Sequence, residues 1–590
     1  MTTKKAKIGI FFGAILLLIM YAFRKVNQGI DVTDTGYHFS NFMYMSEMDP
    51  MWIFSTYLSS LMGYFFTRLP GGDTLLGINI YTSIIPAMLA VVTFVFLVKV
   101  LQMRIWESFA GVLIALALCW CPTTCVYNYL TYLLFNAGAI LLYMGLIKDK
   151  PWILFGAGVC LGLNVLVRFP NVAEAAMIVA VWYACFLQKK TFAEYIKKTG
   201  WCLGGYLAGM GIVFAQIVIQ YGVKEYVNGI IRLLGMTGDA SDYTLYSMIY
   251  NLIQAYLFSG KWVLIIVICV MLGVLGFMVL PNKLFAMKCI GYGVCCAILV
   301  RWFYGQGMFS LAYDSYGSIQ NWGAGTVIVV LLFAICYLVS PVVSDREKIW
   351  AAIVIVVIGI TPLGSNNQLY ANINNMFLIV PFAINVLTKL MIGTKKHVLK
   401  LKSKTLIIYK WPLILMLASC LIMLLVQSVM FGHVFIFRDG VPRESTIESI
   451  ASLEGMKTNA DNKESLETLG EYVSDAELEG RQVLLFGDVP GLSAYLKMPF
   501  VMSPWPDLPS YSRETFAAEL ERVVANMDAS RPVVILGEEF HAFMTDQMSD
   551  VVKLEAYETK YGYKLSVLKE MLDSCNYNCT FNNGVYVVYE

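Results

Sequence analysis

The sequence predicts a polytopic α-helical membrane protein with a soluble α/β region at its C-terminal end. Three observations predict it. Of 590 residues, 58% are hydrophobic and 14% charged, against the roughly 25% charged residues of a soluble domain. Apolar runs of membrane-spanning length recur as far as residue 431 and then stop. From 432 to 590 charges are frequent and apolar runs short. The net charge of +2, with no long basic tract interleaved with aromatics, sets a nucleic-acid partner aside.

A span needs about 20 apolar residues. In chain order the candidate spans are 7–23, 74–98, 106–123, 128–147, 151–168, 172–188, 200–221, 261–280, 288–304, 323–341, 348–362, 374–392 and 410–431, about 13 in all. The first, in "MTTKKAKIGIFFGAILLLIMYAFRK", has a basic start and an apolar core. No small-x-small cleavage site follows, so it reads as an uncleaved span rather than a signal peptide. The loop 24–73 contains "MWIFSTYLSSLMGYFF" (51–66), which is shorter, aromatic and amphipathic and reads as an interfacial helix. If it crosses, everything downstream inverts. With the N-terminus inside, roughly 20 basic residues, among them Lys4, Lys5, Lys148, Lys189 and Lys190, fall on the inner side against roughly 8 outside, the direction that the positive-inside rule requires. The division is then a transmembrane part, 1–431, and an extracytoplasmic part, 432–590, in a plasma membrane; the compact style with few long loops favours a bacterial one.

In the C-terminal part "RQVLLFGDVPG" and "RPVVILGEEF" each read as a short buried strand followed by a turn, with the amphipathic helix "RETFAAELERVVANM" between them and "GVYVVYE" as a last strand. Strand, helix, strand is the pattern of a small α/β unit. The 14 cysteines lie mostly in apolar runs, as small buried hydrophobes. "CNYNC" (Cys575, Cys579) either closes a local disulfide or stays free.

Charge is expensive in a bilayer, so its placement is informative. Span interiors hold almost none, and the exceptions gather at predicted outer ends. Asp31, Asp34, Tyr37 and His38 follow the first span in "GIDVTDTGYHFSNF". Arg168 closes the fifth span in "VLVRFPN", Glu174 opens the sixth, and Arg301 stands near the end of the ninth. Arg232 lies in the external "NGIIRLLGMTGDASDY", and Asn366 and Asn367 in the amide-rich "TPLGSNNQLYANINN". Each has a plainer reading: snorkelling arginines, helix-capping and turn amides, a solvated acidic loop. Against those readings stands one coincidence, that all of them fall on the same predicted face.

The arrangement resembles the GT-C superfamily of membrane glycosyltransferases, which includes protein mannosyltransferases, oligosaccharyltransferases and aminoarabinose transferases. The resemblance rests on the uncleaved first span, the acidic loop "DVTDTGYHFSNF", the interfacial "MWIFSTYLSSLMGYFF", the "RFPN" after the fifth span and the external C-terminal part. The superfamily often shows an adjacent acidic pair in this loop; here Thr35 follows Asp34. The resemblance implies transfer of a sugar from a polyprenyl-phosphate donor to a saccharide, lipid or protein acceptor at the extracytoplasmic face, by inverting attack. In it Asp34 is the general base and Asp31 a second base or a metal or structural ligand. His38 and Tyr37 bind substrate, and Arg168, Arg301, Arg232, Asn366 and Asn367 hold its phosphate or sugar. No cofactor is required, and a divalent cation is possible. Two readings from other classes stand beside it: a transporter or flippase of lipid-linked saccharides, and a non-catalytic cell-envelope scaffold.

Overall fold

The computed structural model describes residues 4–235, 245–279, 282–365, 367–392, 396–401, 404–409, 411–508, 511–527 and 531–590. It is a bundle of apolar helices with a mixed sheet and further helices at the C-terminal end.

Among the described residues nine helices are long and apolar enough to cross a membrane. The sequence count of about 13 is corrected in a specific way. All thirteen segments are helical, but four are short or broken: Ile105–Leu118, Pro151–Val165, Asp345–Ile360, and the pair Gln368–Asn375 and Ile379–Ile392, bent by 75°. Proline explains three of the stops, since it disfavours helix in the residue before it and cannot donate an N–H. Pro122, Pro170 and Pro362 follow the first three helices within a few residues. The segment 51–66 is two helices, Met51–Phe54 and Tyr57–Thr67. The second, at 11 residues, is about 16 Å long. The break is tied to the stretch after Pro151–Val165: Phe169 N–H donates to Ser55 O at 3.0 Å and Leu58 N–H to Leu166 O at 2.8 Å.

Helices Pro151–Val165 and Phe192–Tyr221 pack with their backbones in contact. A Cβ on Gly158 or Gly162 would lie 2.1 or 2.0 Å from the Cys202 or Tyr206 carbonyl oxygen. One on Gly205 would lie 2.0 Å from Phe155 O. Both helices thus present small residues four apart, the pattern that lets helices approach where lipid supplies no hydrophobic drive.

The C-terminal sheet has four strands. Val483–Phe486 pairs in parallel with Val533–Gly537, which pairs antiparallel with Tyr586–Tyr589, and that strand pairs antiparallel with Cys579–Asn582. The first three are buried along their whole length, as continuous apolar runs require. Helices Arg513–Ala525 and Val551–Ser574 pack together over this sheet. Cys575 and Cys579 are both free.

This part of the chain sits on the first loop. Gly491 N–H donates to Val32 O at 2.7 Å, Ser40 Oγ to Pro490 O at 2.9 Å, and the Tyr495 hydroxyl to Asp31 O at 2.7 Å. A Cβ on Gly36 would stand 2.3 Å from Gly491 Cα, so only glycine permits this approach. The Asp439 carboxylate accepts from Ile30 N–H at 2.9 Å and from the Thr458 and Asn459 side chains.

Candidate functional site

The acidic loop folds around its own carboxylate. Asp31 is buried and accepts the N–H groups of Thr33 at 2.9 Å and Thr35 at 2.8 Å, and the Thr33 hydroxyl. Short polar side chains favour such turns and helix starts. The bonds begin the helix Asp34–Met43 and leave Asp31 facing inward. Asp34 is the first residue of that helix, where the dipole favours a negative charge. Its carboxylate is about one-third exposed and pairs with Arg438 Nη2 at 3.5 Å. Arg438 also donates to Thr33 Oγ1 at 2.6 Å. Burial pushes the Asp34 carboxyl above the ordinary carboxylate range, Arg438 opposes that rise, and Asp31 and Asp488 add to it.

Asp34 opens onto a cavity of about 360 Å³. Arg168, Asn367 and Arg438 line the same cavity. So do Tyr127, Tyr132 and Phe135 from helix Val126–Lys148, and Asn171 and Glu174 from the turn that follows Arg168. Trp120 and Tyr316 form another wall, their rings stacked at 4.8 Å. The four short or broken helices all end here: Pro122, Pro170, Thr361 and Asn374 lie in the lining. Irregular backbone at membrane depth is tolerated where it is buried in protein or lines a cavity. The freed groups are satisfied locally, with Trp120 N–H donating to Asn374 Oδ1 at 3.0 Å and Arg168 Nη2 to Gly364 O at 2.6 Å.

The other expected residues divide. His38 is half-buried behind the wall, its ring 4.9 Å from that of Tyr127; burial holds its imidazole down to about 4, neutral at ordinary pH. Tyr37 packs against Trp505 at 5.6 Å. Neither lines the cavity. Arg301 does not reach it: it stands exposed on helix Phe285–Gly305 and is absent from the lining. Arg232 is engaged elsewhere, paired with Asp49. Asn366 lies outside the described residues. Sequence reasoning passed over Arg438, although "FIFRDG" follows the last apolar run just as "VRFPN" follows the fifth; the same signal would have found it. Among the described residues no group of three or more His, Cys, Asp or Glu side chains is placed to hold a metal ion.

No protein-family model matches the chain, and no curated protein matches it. Among solved structures it is similar to the Archaeoglobus fulgidus oligosaccharyltransferase in complex with Zn and sulfate. The TM-score is 0.46 at 11% identity, covering 92% of this chain and 70% of that one. It is similar also to the archaeal oligosaccharyltransferase AglB from Archaeoglobus fulgidus in complex with an inhibitory peptide and a dolichol-phosphate, with a TM-score of 0.44 at 11% identity, covering 90% and 70%.

Proposed function

We propose that the protein is a membrane glycosyltransferase that moves a sugar from a polyprenyl-phosphate donor to an acceptor at the extracytoplasmic face. The observation that carries this reading is the convergence of Asp34, Arg168 and Arg438 on one cavity, from three regions distant in sequence. The reaction needs a base on one side of the anomeric carbon and positive charge on the other. The acceptor hydroxyl attacks that carbon as its proton passes to the Asp34 carboxylate. The bond from the anomeric carbon to the phosphate oxygen breaks with inversion. The charge gathered on the leaving polyprenyl phosphate is met by the guanidinium group of Arg168, while Arg438 stays beside the base it pairs with. A carboxyl raised above its usual range suits this role, because it holds a proton more firmly once it has taken one. Asp31 is assigned a supporting role, shaping the turn that presents Asp34. A divalent cation is compatible with this chemistry, and no step is routed through one.

The test is donor consumption by purified protein supplied with labelled polyprenyl-phosphate sugars and a mixture of saccharide, lipid and peptide acceptors. Asp34→Asn is expected to lower the rate at least 100-fold with donor binding kept. A variant as active as wild type removes Asp34 from the mechanism. Movement of intact donor across vesicles without its consumption favours the transporter reading instead.

A further inference from the structure

One wall of the cavity carries chemistry that the transfer step does not use. Glu174 lies in the apolar segment Phe169–Leu187, is 2% exposed, and yet lines the cavity. One of its carboxylate oxygens accepts from Asn164 Nδ2 at 2.7 Å. The other is buried and has no hydrogen-bond partner among the described residues. Beside it Asn171 spends both amide hydrogens inside the protein, on Thr131 Oγ1 at 2.9 Å and Asn164 O at 3.0 Å. What remains of Asn171 for a ligand is its carbonyl oxygen, which only accepts. The wall therefore offers an acceptor at Asn171 and, at Glu174, a carboxyl oxygen that accepts when ionised and donates when protonated, and it calls for groups that can do both.

A half-satisfied carboxyl in an apolar segment is costly to keep, and such groups are functional-site candidates for that reason. Phosphate does not fit against the Asn171 carbonyl oxygen, since both only accept, and a lipid tail makes no hydrogen bonds. A polyhydroxylated ring fits: its hydroxyls donate, and the rings of Tyr132 and Phe135 on the same cavity offer apolar faces for its C–H surface. We propose that Glu174 and Asn171 form the subsite for the hydroxyl groups of the donor's glycosyl unit, and so select the sugar. The inference rests on the transferase reading for the donor's identity, and it leaves the phosphate to Arg168.

The test is affinity, measured separately from turnover. Purified protein is titrated with bare polyprenyl phosphate and with the same lipid carrying glucose, mannose, galactose or N-acetylglucosamine. In wild type at least one of these sugars tightens binding tenfold or more over the bare lipid. Glu174→Gln, which keeps the shape and the Asn164 contact, removes most of that increment and leaves affinity for the bare lipid within twofold. Asn171→Ala, which removes the carbonyl oxygen assigned to the sugar, carries the same comparison if Glu174→Gln fails to assemble. Variants that weaken bare and sugar-bearing lipid alike give these residues a structural role only and overturn the proposal, as does a panel in which no sugar improves on the bare lipid. Donor consumption by wild type and Asp34→Asn separates the two readings. Consumption with a sugar increment indifferent to Glu174 overturns the subsite and keeps the transferase. A Glu174-dependent increment without consumption keeps the subsite and overturns the transferase.

Discussion

Arg438 sets the working range of Asp34. The pair is partly exposed, so it adds little to stability, but it holds the Asp34 carboxyl below where burial alone would put it. On the proposed mechanism only the ionised form accepts the proton, so activity falls as pH drops through the Asp34 pKa. Removing the guanidinium raises that pKa. Arg438→Ala is therefore expected to move the acid limb of the pH–rate profile to higher pH; Arg438→Lys moves it less. A profile that keeps its acid limb in place while the rate falls clears Arg438 of tuning Asp34. At this scale the sequence was partly legible. Asp34 and Arg168 are charges next to apolar runs, and the cost of charge in a bilayer makes such residues conspicuous. Arg301 has the same local signature and does not reach the cavity, because depth along the membrane normal is readable from span ends whereas angular position around the bundle is not. Arg232 is spent on Asp49, a pairing across 183 residues that no local pattern announces.

At the scale of elements, the helix Asp34–Met43 is held by backbone contact with the C-terminal part, and glycine makes that possible. A methyl group on Gly36 meets Gly491 Cα at 2.3 Å, and backbone cannot step aside as a flexible side chain can. Gly36→Ala is expected to lower stability by about 1–3 kcal/mol, read as a fall in the thermal midpoint of detergent-purified protein. Gly9→Ala, with open space around it, is the neutral control. A second element-scale prediction concerns the loop that carries Asp488 and Asp507. Asp507 is buried, its Oδ2 accepts the Asp488 N–H at 3.0 Å, and burial with the nearby Asp488 charge pushes its pKa up to about 6. A carboxyl raised in the folded state contributes stability that is full below its unfolded pKa and lost as pH rises through about 6. Thermal midpoints measured from pH 4 to pH 7 should fall for wild type, and fall less for Asp507→Asn; parallel curves would clear Asp507 of the effect. The helical segments were legible from apolar runs alone. Their breaks were not, because a proline marks where three of the helices stop without saying that these stops and the fourth break face one another.

Across the whole molecule, the orientation argued from the distribution of lysine and arginine has two native reporters. Cys579 is exposed on the C-terminal sheet, and Cys289 is exposed near the start of helix Phe285–Gly305. The positive-inside assignment puts them on opposite sides. A membrane-impermeant maleimide applied to intact cells is expected to modify Cys579 and to reach Cys289 only after permeabilisation, as read by peptide mass. The reverse pattern inverts the topology and places the cavity at the cytoplasmic face. The basic-residue count depends on the assignment of 51–66 as interfacial, and the labelling tests that assignment as well.

The contact between Arg438 and the first loop bridges 405 residues, and this separation has a consequence for how the protein is made. A ribosome adding roughly 5–20 residues per second finishes Thr33 about 20–80 s before it reaches Arg438, and the sheet that carries Gly491 is completed later still. Throughout that interval the nascent chain has its acidic loop but neither the cation beside it nor the backbone that clamps it. Translation that stops just after the last apolar helix, Trp411–Val434, leaves a chain with every apolar helix made but without the Arg438 that lines the cavity. Competence is thus withheld until the final quarter of the polypeptide has been delivered.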